Sequence, residues 1–158
     1  MPNHNNYINL SYLESITEGD QELIKELISI FIEQMPEFVE GFDNGYSKKD
    51  WLKIAAIAHK AKSSVISMGM EELGNNDLKN LELVSKSMRI DFLKSKAELS
   101  REQRDEIDKL LKSLEGYPKE RLKWVKNNCN EESIRNLIDK FNFICKEAIK
   151  ELQKVLGN

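Results

Sequence analysis

The sequence predicts an all-α fold: an antiparallel four-helix bundle with a short N-terminal helix and an inserted helical arm. Three observations lead there. Apolar residues recur at three- and four-residue spacing along most of the chain, and no long run alternates at period two. Hydrophobic residues are 40% and charged residues 32% of the total, with only 3 Pro and 7 Gly; a mixture rich in Leu, Ile, Lys and Glu favours helix. The length, 158 residues, suits a single domain with a real core. That domain is predicted over residues 1–158, with the bundle at about 20–90 and 131–156 and the arm at about 94–129.

Each element has its own signal. Leu10, Leu13 and Ile16 suggest a short lead-in helix. Asp20 offers an N-cap for a long helix to about Phe42, with Ile24, Leu27, Ile28, Phe31, Met35, Phe38 and Val39 on its apolar stripe. Pro36 inside that pattern predicts a kink or a split, and Gly41 and Gly45 mark an end. Ser47 with Asp50 reads as a capping box, so the next helix is expected to start near Lys48 and run to about Met68, where Gly69 stops or bends it. A fourth helix begins near Glu71; Met88, Ile90, Phe92 and Leu93 either continue it or form a turn. Ser100 and Gln103 cap the arm's first helix, with Ile107, Leu110, Leu111 and Leu114 as its stripe. Gly116 and Pro118 interrupt the arm before a short helix, ERLKWVKN. Asn130, followed by Glu131 and Glu132, opens the most regular stripe of all: Ile134, Leu137, Ile138, Phe141, Ile144, Cys145, Ala148, Leu152 and Val155.

Several classes fall away. A net charge of -3 lacks the basic excess of a nucleic-acid binder. The start, MPNHNNYINL, has neither the charge nor the apolar run of a signal peptide, and LISIFI is too short to span a bilayer. Two cysteines make no disulfide framework, and a cytoplasmic setting is expected, with Cys145 packed in the core and Cys129 a surface thiol.

The segment AHKAKSSVISMG holds His59, one of two histidines. At about 100° per residue, Ile54, Ala58, Ala61, Val65 and Met68 gather on the inward side and His59 points outward. Its surroundings on that outer face are small or apolar: Leu52, Ala55, Ala56, Ser63 and Ile66, with the cation Lys62 one turn on. Such a face lets a partner's backbone approach the ring and bury apolar surface around it. A metal site is not expected, because His4 lies in a polar N-terminus and no His-x-x-x-His or Glu-x-x-His pair exists.

His59-x-x-Lys62-x-Ser64, with Gly69 ten residues after the histidine and Leu73 four further on, resembles the histidine-containing phosphotransfer (HPt) family. FIEQMPEFVEGF followed by KKDWLKIAAIAHKAKSS is similar to the family's preceding helix and its entry into the histidine helix. NDLKNLE, Asn76 to Glu82, is similar to the end of its signature. The resemblance covers about residues 20–87 and the final helix. Three departures stand out. Ser63 replaces the family's glycine, and the arm is longer than the usual connection. The Leu81-Glu82 pair falls about one residue late, so no contact role carries over to Glu82.

The resemblance implies a phosphorelay intermediate in two-component signalling without autokinase activity. His59 would carry a phosphoryl group between aspartates on the receiver domains of a hybrid histidine kinase and of a response regulator. Lys62 would pair with the phosphate, and the receiver would bring Mg²⁺, so no intrinsic cofactor is expected. A neutral imidazole, ordinarily titrating near 6.5, is a competent nucleophile around neutrality. A monomer is expected, because a closed bundle buries its own core. Two competing readings remain. One is the dimerisation and phosphoacceptor region of a histidine kinase, which generally places an acid directly after its histidine; here that residue is Lys60 and no Gly-rich nucleotide loop appears. The other is a non-catalytic helical adaptor in which His59 is incidental. In the arm, Tyr117 and Trp124 are candidate contact anchors, with packing against the bundle the plainer role for each.

Overall fold

The computed structural model describes residues 7–157, and the described chain is all-helical. Seven α-helices follow in order: α1 Ser11–Ile16, α2 Gln21–Ser47, α3 Trp51–Ser67, α4 Lys79–Lys94, α5 Arg101–Ser113, α6 Lys119–Asn127 and α7 Glu131–Val155. A single π-helical turn, Leu73–Leu78, leads into α4.

Local chemistry sets the starts. Asp20 accepts from the backbone N–H groups of Glu22 and Leu23 at the head of α2, and Asn130 accepts from that of Ser133 at α7. Ser100 and Gln103 form a reciprocal capping box at α5, as their spacing predicts. The α2–α3 boundary differs from expectation. Asp50 is itself the N-cap of α3, accepting from Lys53, while Ser47 is still the last residue of α2. Gly41 and Gly45 do not end α2 either. A Cβ on Gly45 would lie 2.8 Å from Ile54 Cγ1, and one on Gly41 would run into Ile57, so these glycines let α3 close on α2. Pro36 does not split the helix; it leaves one carbonyl without its usual N–H and the helix continues.

Packing links α2 to α3, α3 to α4, α4 to α7 and α7 back to α2. Gly41 opposite Ile57 and Gly45 opposite Ile54 set α2 and α3 antiparallel. Phe42 and Phe141 meet edge-to-face at 5.1 Å between α2 and α7. The inward stripe of α3 is buried throughout, as are Ile134, Ile138, Phe141, Cys145, Ala148 and Leu152 of α7. Leu13 of α1 joins this core and Leu10, just before the helix, packs half-buried against it, while Ile16 stays exposed.

Met88 to Leu93 continue α4 rather than turning. There Ile90 and Leu93 meet Ile107 of α5 in a small second cluster, from which Leu111 is excluded. Arg89 seals this contact with a two-pronged ion pair to Glu106, at 2.6 and 3.1 Å. In α6, Val125 enters the main core and Arg121 reaches back to Asn80 Oδ1 at 2.8 Å. The arm therefore lies along α4. Gly69, at φ +88°, ends α3 in the left-handed region with the Asn9 backbone against it, leaving no room for a side chain. No described helix is long and apolar enough to cross a membrane.

Candidate functional site

His59 stands in the middle of α3 with its side chain 72% exposed, while the next residue inward, Ala58, is fully buried. The ring leans over the groove toward α4, where Nδ1 lies 3.3 Å from Glu82 Oε1. Glu82 is an unusual partner because its own side chain is only 6% exposed. Burial alone pushes its carboxyl pKa up, but Lys86 and Lys79 more than reverse that and hold it below its ordinary value. Lys86 Nζ reaches Oε2 at 3.0 Å and Lys79 Nζ reaches Oε1 at 3.2 Å. Lys79 also donates to the Tyr117 hydroxyl at 3.1 Å. Burial pulls the Lys79 ammonium down, yet Tyr117 and Glu82 together raise its pKa above the usual one.

The chemical consequence is definite. An ionised carboxylate only accepts, so the hydrogen bond to Glu82 requires the proton on Nδ1. In the neutral ring this tautomer leaves the Nε2 lone pair free. Two lysines around one glutamate also leave one positive charge uncompensated beside the ring.

Glu82 is the correction to the sequence reading, which drew no contact for it because it falls about one residue late. A π turn holds one more residue than the α-helical path it replaces, and beyond the turn at Leu73–Leu78 α4 presents Glu82 to His59. Lys79 and Lys86 had a legible signal, since Lys79-x-x-Glu82-x-x-x-Lys86 places all three on one helical face. Tyr117, a candidate anchor in the arm, packs half-buried against the core as its plainer role predicts, but no local signal pairs it with Lys79.

The other sequence-derived positions divide. Lys62 is half-buried one turn beyond His59 and enters no ion pair among the described residues. Ala56 and Ser63 are exposed beside the ring, and Leu52 is half-buried. Ala55 is buried, at 4% exposure, and cannot belong to an outward patch; it lies on a flank of α3 that neighbouring elements cover. Ile66 is half-buried because it covers Gly74 of the π turn, where a Cβ would come within 2.5 Å of Ile66 Cγ1. Ser64 donates to Gln34 Oε1 on α2 at 3.1 Å and faces away from the imidazole. Lys60 points to exposed Glu37 on α2. Trp124 is exposed rather than packed inward. His4 lies outside the described residues, and among those described no cluster of three or more His, Cys, Asp or Glu side chains could hold a metal.

No family model, curated protein or solved structure matches the chain.

Proposed function

We propose that the protein is a histidine phosphotransfer intermediate built on an antiparallel four-helix bundle of α2, α3, α4 and α7. The observation that carries this reading is an exposed imidazole whose Nδ1 rests on a buried, lysine-held carboxylate. Nε2 attacks the phosphorus of a receiver's aspartyl phosphate. The P–N bond forms as the P–O bond breaks, and the electron pair leaves with the receiver's carboxylate. The proton stays on Nδ1, where Glu82 balances the positive charge that the ring acquires. Lys62 meets the phosphate oxygens, which suits a reaction governed by positioning and charge. Mg²⁺ belongs to the receiver in this scheme.

The docking face consists of Leu52, Ala56, Ser63 and the exposed edge of Ile66. Small residues next to the ring permit close approach, and the contact is small and transient. The proposed partners are receiver domains of a hybrid histidine kinase and of a response regulator, met by a monomer in the cytoplasm. Autokinase activity has no place here, so labelled ATP alone should leave the chain unlabelled.

The test is direct. Phosphorylated receivers are mixed with wild type and with His59→Gln, and acid-labile phosphate is measured on each. Label on the wild type alone is the expected result. Label on neither protein favours the adaptor reading; label on both places the acceptor elsewhere.

A further inference from the structure

We infer that Tyr117, carried by the arm, is a positioning residue for the His59 imidazole, acting through Lys79 and Glu82 to hold the ring in its Nδ1–H form. The inference concerns the same imidazole as the phosphotransfer reading and rests on it for its significance. Its measurement does not depend on that reading.

Four groups form the path. Tyr117 Oη accepts from Lys79 Nζ at 3.1 Å, Lys79 Nζ donates to Glu82 Oε1 at 3.2 Å, and the same Oε1 faces His59 Nδ1 at 3.3 Å. The Lys79 ammonium lies 5.3 Å from the Tyr117 ring centroid, out beyond the hydroxyl. Lys86 fixes only Oε2, so the oxygen that meets the imidazole is oriented by Lys79. Lys79 in turn has a side chain just 12% exposed, leaving water little access to replace a lost acceptor. Without the Tyr117 hydroxyl the ammonium loses an anchor and the carboxylate can rotate about the end held by Lys86. The ring then shifts toward the Nε2–H form, in which the attacking lone pair is no longer available.

The arm has other ties to α4 that bypass this path, and they provide a control. Arg121 holds Asn80 Oδ1 and the Asn75 carbonyl, not Lys79. A role confined to pinning the arm would make Arg121→Ala and Tyr117→Phe equivalent at the imidazole. A role through Lys79 makes them different.

The experiment is long-range ¹H–¹⁵N NMR of the ring nitrogens in the full ¹⁵N-labelled chain, above the pH at which the imidazole protonates. Four proteins are compared with wild type: Y117F, K79M, the Y117F/K79M double variant and R121A. Y117F should move the tautomer ratio toward Nε2–H by about twofold or more, the scale of one modest hydrogen bond. K79M should move it the same way and further, Y117F should add nothing on the K79M background, and R121A should leave it unchanged. An unchanged ratio in Y117F, a shift toward Nδ1–H, full additivity with K79M, or an equal shift in R121A overturns the inference. If the tautomer responds as expected while wild type accepts no phosphate from receivers, phosphotransfer fails and the positioning role stands. If transfer occurs and the ratio ignores Tyr117, the reverse holds.

Discussion

Glu82 concentrates the electrostatics of the molecule in one side chain. Its pKa is lowered in the folded chain, so folding is favoured wherever the unfolded carboxyl is already ionised, above about 4.3. That stability is lost as pH falls through the depressed folded value. Glu82→Gln should therefore cost about 1.5–3 kcal/mol at pH 7, typical of hydrogen bonds to charged groups, and urea titrations should show the gap to wild type narrowing by pH 3. The two thiols respond in the opposite sense. Burial pushes Cys145 up to about 12, and burial together with Asp91 pushes Cys129 up to about 12. Thiolate is the reactive form, so folded protein at pH 8 should alkylate slowly with iodoacetamide and urea-unfolded protein quickly. Sequence placed Cys145 in the core and Cys129 at the surface, where it is half-buried; the contact with Asp91, 3.4 Å away, comes from another helix and has no local signature.

At the scale of elements, glycine carried two meanings that local pattern does not separate. Gly69 ends a helix because of its backbone angle, whereas Gly41 and Gly45 serve a helix that passes through them and lies close to its neighbour. Gly45→Val should force α2 and α3 apart and lower stability by about 1–3 kcal/mol, the usual cost of overpacking, as measured by thermal or urea unfolding. The π turn makes a sharper prediction. Removing Asn75, an exposed residue within it, should convert the turn to regular α-helix and leave Glu82 on its present face. The His59–Glu82 contact, followed by ring ¹⁵N shifts, should survive. Removing Ser87, after the turn, should leave that contact intact as well but turn Ile90 and Leu93 away from Ile107, lowering stability. Periodicity predicted that α4 exists; it could not show that the helix begins with a wide turn, because hydrogen-bond register leaves no hydrophobic imprint.

Across the whole molecule, the most legible features were those written in consecutive residues: caps at Asp20, Ser100 and Asn130, the stripe of α7, and the outward aim of His59. What distant segments create together was not legible, namely the burial of Ala55, the covering of Gly74 by Ile66, and the approach of Tyr117 to Lys79. The arm leaves the imidazole open, so diethyl pyrocarbonate applied to the native chain should modify His59 readily, with mass spectrometry locating the adduct. Leaving the ring open does not make the arm a bystander. Its connecting loop supplies a phenol to the lysine that braces the carboxylate, so an engineer who swapped the stretch between α4 and α7 for a tight turn would be editing the chemistry of the groove as well as shortening the polypeptide.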